Sequence, residues 1–378
     1  MGTITSIAQI IIVLFGQCLL FLLGGLANAY AQTPGCTDPQ ATNFDSLACC
    51  NNGSCLYASQ NYSPPIRVTL PSALNEISGM VYYGGKIIAL NDGGNAPVLY
   101  MLDSTIGKIE QTIALQGCFN VDWEDLAQDS VYLYVADVGN NANGNRTNLV
   151  IYKVPKPGPD SSTQTSIPDS AIYSIYFSYE DQTDFTPQGG NNTAFDCEAV
   201  FWHRGALHLV TKNWKSSIAK HYMLPDTPGT YKAILIDSFD TGGFLITGAT
   251  VGGYDELMLT GYNMRGGCSL FLAYGFDSSH RYFTTGSRRH ISLPSALSMG
   301  QLEAACFVNG VRGFLSNERF TGAIFPVPAR LRTFTTWQWI IDYYKNNTQE
   351  FATPGMLRYN TTTNKYEVYD GIAWKDLN

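Results

Sequence analysis

An acidic start recurs along the chain, each time followed at nearly fixed distance by a polar cluster, and few folds can accommodate such a pattern. Glu76, Glu124, Glu198 and Glu303 each lead into small and apolar residues, and Thr247 takes the same place in a fifth copy. Glu76 reaches Asn91-Asp92-Gly93 after 15 residues, Glu124 reaches Asp137 after 13, and Glu198 reaches Lys212 after 14. Thr247 reaches Tyr262 after 15 and Glu303 reaches Asn317-Glu318-Arg319 after 14. Such a distance is two short strands and a turn. The starts are spaced by 48, 74, 49 and 56 residues, the size of a four-stranded propeller blade. The expected fold is therefore all-β, a β-propeller over residues 66–330 with five or six blades. Six is favoured, because the 74-residue interval has room for a surface insertion or a degenerate blade. A pair of β-sandwiches is the competing architecture. Val68-Thr69-Leu70-Pro71-Ser72-Ala73-Leu74 and Ile291-Ser292-Leu293-Pro294-Ser295-Ala296-Leu297 are near copies at the two ends, as expected if terminal strands complete one blade.

Composition agrees. Only 14% of residues are charged, while 36 Gly and 23 Tyr favour strands and turns. The formal charge is -8 and there is no basic run, which argues against nucleic acid as a partner. Residues 1–31 carry no ionisable side chain other than Cys18 and Tyr30, are apolar from Ile7 to Leu26, and end in Ala27-Asn28-Ala29 and Ala29-Tyr30-Ala31. They read as a signal peptide, with an uncleaved anchor as the alternative. The expected setting is secreted or cell-surface, with membrane contact only during export. Cys18 lies in mid-run, a poor context for lipidation.

Cys36, Cys49, Cys50 and Cys55 crowd the segment 32–60, which reads as a disulfide framework. Adjacent cysteines are poor partners for each other, so Cys49 and Cys50 are expected to pair with Cys36 and Cys55, one to each. Cys118, Cys197, Cys268 and Cys306 read as small buried hydrophobes. After residue 330 the repeat stops. Trp337, Ile340, Ile341 and Tyr344 have helical spacing, and Leu357, Tyr359, Tyr366 and Val368 alternate about an Asn/Thr turn, giving a helix and a hairpin over 331–378.

In a propeller the inner strands surround one channel, so Glu76, Glu124, Glu198 and Glu303 should converge. Crowded carboxylates raise each other's pKa and call for a neutralising partner. Three are available: a cation, bases such as Lys212 and Arg319, or backbone N–H groups of neighbouring blades. A hard cation such as Ca²⁺ suits oxygen donors, with Glu76, Glu124, Glu198, Glu303 and Asp137 as candidate ligands. Asn91, Asp92 and Asn317, with Lys212 and Arg319, are the candidates for contacting a bound ligand. The bland alternative is that each Glu only ties its blade to the next. There is no Gly-x-Ser-x-Gly elbow, and His203 and His208, flanking a turn at Arg204-Gly205, read as surface or strand residues rather than a catalytic pair.

Three resemblances follow from particular residues. NEISGM, DWEDLA, DCEAVF and QLEAACF, with ALNDGGN and FLSNERF, resemble a broad group of exported propellers that includes phytase-like, esterase-type proteins and the SdiA-regulated family. That likeness implies cation-assisted hydrolysis of a phosphate or other ester, with Lys212 and Arg319 on the anion. The usual Gly after the Glu is Asp125, Ala199 and Ala304 here. Gly35-Cys36-Thr37-Asp38-Pro39 with Gly53-Ser54-Cys55-Leu56-Tyr57 resembles a thrombospondin type 3-like module of secreted bacterial proteins, whose paired acids are Asn51 and Asn52 here. Tyr369-Asp370-Gly371-Ile372-Ala373-Trp374 is similar to the end of phage tail-fibre and bacterial surface proteins. The functional expectation is a displayed module that binds a small molecule, glycan or protein, with Ca²⁺ as the candidate cofactor. The alternative is a metal-dependent esterase or phosphoester hydrolase.

Overall fold

Each recurring start opens an inner strand, and the inner strands stand side by side around one axis. The computed structural model describes residues 33–158, 165–322, 326–347, 357–360, 365–369 and 374–376. The expected leader 1–31, with Cys18, lies outside the described residues. Two N-terminal strands, β1 (Gln60–Asn61) and β2 (Ile66–Thr69), precede the first blade, β3 (Ile77–Tyr83), β4 (Lys86–Asn91), β5 (Val98–Leu102) and β6 (Ile109–Leu115). The second blade is β7 (Trp123–Gln128), β8 (Tyr132–Asp137), β9 (Val150–Pro155) and, beyond the short β10 (Ser166–Ile167), β11 (Tyr173–Tyr179). The third is β12 (Cys197–His203), β13 (Ala206–Thr211), β14 (Ile218–Pro225) and β15 (Gly229–Asp240). The fourth is β16 (Leu245–Val251), β17 (Leu257–Tyr262), β18 (Cys268–Tyr274) and β19 (Ser287–Leu293), with a short helix α1 (Tyr282–Thr285) before β19. After α2 (Ala296–Met299) the fifth blade has β20 (Gln301–Asn309), β21 (Arg312–Glu318) and β22 (Arg330–Thr335).

Its fourth strand is β2, antiparallel to β22, so the N-terminal segment closes the ring. Inner strand β20 packs directly against β3. Among the described residues the ring therefore holds five blades, the smaller of the two expected counts. The surplus of the 74-residue interval lies in the connections around β10, which leaves to pair with β6, while β11, the second blade's outer strand, also pairs in parallel with β15 and joins the second and third blades into one sheet.

The inner strands read as nearly unbroken apolar or small runs because both faces are covered; β3, β7 and β12 are buried over their first five residues. Cys118, Cys197, Cys268 and Cys306 are buried. The N-terminal bridge joins Cys36 to Cys55, which corrects the expected pairing. Cys49 and Cys50 stay outside it, exposed, with Sγ atoms 3.2 Å apart. This module is docked on the fourth blade. Asp38, fully buried, accepts from the hydroxyls of Tyr57 at 2.7 Å and Tyr274 at 2.5 Å and pairs with Arg289 at 3.2 Å. Strand β1 extends the fourth blade in parallel with β19.

Helix α3 (Trp337–Asn347) buries Trp339, Ile340, Tyr343 and Tyr344. Its inner face is turned from the expected one, and Trp337, at its first turn, is exposed. Beyond it, β23 (Leu357–Asn360), β24 (Lys365–Tyr369) and β25 (Trp374–Asp376) form an antiparallel sheet, the expected hairpin with one added strand.

Candidate functional site at the mouth of the channel

All five inner strands carry a β-bulge near their start. The register shifts lie between Ile77 and Gly79, Trp123 and Asp125, Cys197 and Ala199, Ile246 and Gly248, and Leu302 and Ala304. The bulged residues are Ser78, Glu124, Glu198, Thr247 and Glu303. A bulge re-aims its side chain out of the alternation of the strand. Ser78, not Glu76, is thus the first blade's counterpart of Glu124. Glu76 is exposed, accepts from Asn95 Nδ2 at 2.6 Å, and corresponds in register to Asp122 and Asp196, two residues before the bulge.

Hydroxyls and a buried aspartate near the bulges tie blade to blade. Ser78 Oγ donates to the carbonyl of Glu124 at 2.5 Å, Thr247 Oγ1 to that of Leu302 at 2.8 Å, and Thr260 Oγ1 to that of Glu303 at 2.9 Å. Asp125 spans three blades. It accepts the N–H groups of Leu126 at 2.7 Å, Val200 at 2.9 Å and Ala249 at 3.1 Å, and is buried. Burial pushes its carboxyl well above the usual range, against the pull of those three donors.

The bulge glutamates face a polar cavity of about 170 Å³. Its walls hold the carboxyls of Asp92, Glu124, Glu198, Glu303 and Glu318 and a single cationic side chain, Lys212. Lys212 Nζ pairs with Glu198 at 2.9 Å and stands over the rings of Trp214 and Tyr262. Burial works against its charge, but Glu198 and Glu303 outweigh it and hold the ammonium well above its ordinary pKa. Glu303 Oε1 accepts from Gln301 at 2.6 Å, and its buried Oε2 has no partner. Asp196 is satisfied by Asn140 N–H at 2.6 Å and Trp214 Nε1 at 2.7 Å.

Asp92, Asp122 and Glu124 are different. One oxygen from each lies within 4.8 Å of the others, and a second such trio, Glu124, Asp196 and Glu198, shares Glu124. Burial, then the neighbouring acids, pushes Asp122 up to about 7 and Glu124 well above its usual value. Burial likewise takes Glu303 to about 7 and Glu318 to about 9. The seat is shaped by two glycines. A Cβ on Gly139 would lie 2.1 Å from Glu124 Oε1 and 2.4 Å from Asp122 Oδ2, and one on Gly93 would lie 2.4 Å from Asp122 Oδ1.

Of the sequence-derived candidates, Glu124, Glu198, Glu303, Asp92 and Lys212 meet at this cavity. The others stand apart. Asp137 is engaged by Arg146 at 2.7 Å and by the N–H groups of Val121 and Asp122. Asn91 and Asn317 donate to the backbone carbonyls of Ala73 and Pro328, and Arg319 is exposed. Asp122, Asp196 and Glu318 were missed as candidates. The signal for the first two is the spacing Asp122-x-Glu124 and Asp196-x-Glu198, which sets one acid just before an inner strand and one at its bulge. His203 and His208 do lie on strands β12 and β13, but both are buried, which corrects the surface alternative.

No family model matches the chain, and no curated relative does. Solved structures are similar in β-propeller architecture. The PQQ-bound aldose sugar dehydrogenase of Streptomyces coelicolor is 10% identical, covering 72% of this chain and 99% of its own, with a TM-score of 0.42. Regucalcin, a calcium-binding protein of Agrobacterium tumefaciens, is 10% identical over 73% of this chain and 97% of its own, TM-score 0.37. A 6-phosphogluconolactonase-like protein of Bacteroides uniformis is 11% identical over 84% and 81%, TM-score 0.33.

Proposed function

We propose that the protein is an exported, cation-dependent binding propeller. A hard divalent cation of the Ca²⁺ type is held at the channel mouth by Asp92, Asp122 and Glu124, and its remaining positions face the cavity beside Lys212. The observation that carries this reading is the buried carboxylate of Glu124, shared by two trios of acids, with its strand's structural bonding done by Ser78 and Asp125 instead. Oxygens on a Ca²⁺ sphere of about 2.3–2.6 Å radius are at most about 5 Å apart, which the trio satisfies. Burying these acids ionised without a cation would be costly, so in its absence they keep protons. The ligand presented to the cation is one with oxygen donors, a hydroxylated or anionic small molecule, glycan or protein side chain. Export rests on the apolar leader 1–31.

A second reading, the phytase-like or esterase-type one, is favoured by one observation. On that reading Asp92 and Glu124 alone hold the cation, and Asp122, pushed up to about 7 by burial and the neighbouring acids, is left to exchange a proton at neutral pH beside a site where a cation would activate water. Titration of metal-stripped protein with Ca²⁺ by calorimetry, repeated for Glu124→Gln, tests the cation site; equal affinity in the variant would sink it. An ester and phosphoester panel with Ca²⁺ present separates the two readings: turnover lost in Asp122→Asn selects the hydrolase.

A further inference from the structure

Four of the protein's five histidines meet where the third and fourth blades touch, away from the channel mouth. His203 Nδ1, His280 Nδ1 and His208 Nε2 lie 2.7, 3.0 and 3.3 Å from the hydroxyl of Tyr282. His208 Nδ1 faces His221 Nε2 at 3.0 Å, and His203 Nε2 faces Asp255 Oδ1 at 2.5 Å. His208, His221 and Tyr282 are fully buried.

The partners fix where every proton sits when the imidazoles are neutral. His203 Nε2–H donates to the Asp255 carboxylate, so its Nδ1 is an acceptor and takes the Tyr282 O–H. A phenol donates once and accepts twice, so His280 Nδ1–H and His208 Nε2–H both donate to Tyr282. His208 Nδ1 then accepts from His221 Nε2–H. The chain ends on His221 Nδ1, a buried lone pair with no partner. A proton added to either fully buried imidazole, His208 or His221, must enter that closed pocket or set two N–H groups face to face.

We propose that this cluster is an acid-released clasp, whose protonation frees residues 275–287 from the third blade and loosens the N-terminal module resting on them. Helix α1, which carries Tyr282, is pinned to the third blade by Asp237, which accepts from Phe283 N–H at 2.7 Å and Thr284 N–H at 3.2 Å. On its outer side, Asn51 Nδ2 donates to Ser287 Oγ at 2.9 Å and to the carbonyl of Gly275 at 3.3 Å. The backbone of Gly53, at φ 75, passes so close that a Cβ would lie 2.3 Å from the carbonyl oxygen of Thr284. The charged groups around the cluster are Asp255 and Arg204, paired at its outer rim, Asp277, whose carbonyl takes Arg204 Nη1, and Asp237 with Arg288 below α1. Asp255 is the carboxylate bonded to an imidazole, and it is already committed to His203 and Arg204. Burial, reinforced by neighbouring imidazoles, holds His208 well below the ordinary value and His221 at about 3, and burial lowers His280 as well.

Each imidazole that is neutral in the clasp and charged when released shifts the equilibrium about tenfold per pH unit below about 6.5. Hydrogen exchange of the full chain at pH 7 and pH 5, corrected for intrinsic rates, tests this. Amides of 203–224 and 275–287 should lose at least about tenfold more protection than those of the first blade, and His221→Leu should lose markedly less than the wild type. Unchanged wild-type protection, or an equal loss in the variant, overturns the proposal. Should the variant fail to fold, imidazole NMR of the wild type decides: His208 and His221 must take up protons as protection falls, and imidazoles that remain neutral through that loss refute the clasp.

Discussion

The channel mouth and the histidine cluster both bury titratable groups, and they differ in what is left over. At the mouth, five cavity-lining carboxyls surround one lysine, so charge is in surplus and the bonds that hold the blades together have been handed to Ser78, Thr247, Thr260 and Asp125. In the buried part of the histidine cluster each donor has an acceptor, and His221 Nδ1 is the buried ring nitrogen left without a partner. A site that keeps surplus ligand atoms is built to take up something from outside, whereas a saturated network is built to hold neighbouring elements together. The two also respond to protons with opposite sign.

The largest effect should come from closing the seat. Gly139→Ala puts a methyl against Glu124 Oε1 and Asp122 Oδ2, so Ca²⁺ affinity should fall by about 10–100-fold, as for the loss of an outer-shell partner, while far-ultraviolet circular dichroism stays unchanged. Undiminished Ca²⁺ binding in this variant would break the assignment of Asp122 and Glu124. It should leave the exchange behaviour of residues 275–287 untouched, which separates the two clusters.

A smaller effect is the pH dependence. Asp122, Glu303 and Glu318 have folded-state values of about 7, 7 and 9, above their ordinary carboxyl range. Their contribution to stability is fully present below about pH 4 and is lost as pH rises through 7 to 9. The lowered histidines act the other way, and their contribution is lost as pH falls below about 6.5. Cation-free protein should therefore be destabilised at both ends. Ca²⁺ takes the place of the carboxyl protons, so the rise in melting temperature it gives should be greater at pH 8 than at pH 5.5. A rise that is equal at both values would show that binding displaces no protons from the mouth.

The propeller was legible in the sequence because its period is carried by side chains with a job in every blade. The blade count was harder to read, since the stretch between Glu124 and Glu198 is lengthened by the connections around β10, whose pairing with another blade has no local signature. Within the site, Glu124, Glu198 and Glu303 stood out as acids before apolar runs. Glu76 was misaligned by two residues because a bulge leaves no mark in one strand's sequence; only pairing with β4 shows that Ser78 is the bulged residue. Asp137 opens its polar cluster as Asn91 does in the first blade, yet Arg146, nine residues on, turns it into a structural pair. The histidine cluster was hidden because its members come from three paired strands and a loop, with His280 and Tyr282 added only where α1 and the loop before it dock on the third blade.

Lys212 offers the finest test of the difference between the two regions. It neutralises Glu198 at 2.9 Å and lies across the cavity from the trio. If the carboxyls exist for an external cation, the lysine is a resident competitor for part of their field. Lys212→Met removes its charge but keeps the apolar stem between Trp214 and Tyr262. Glu198 is then free to turn toward the cation beside Glu124, and Ca²⁺ affinity should rise a few-fold, measured by calorimetry at pH 7.5. A fall in affinity would mean that the Lys212–Glu198 pair positions Glu124 rather than competing with the cation, and would make the mouth a bonded network of the same kind as the histidine seam.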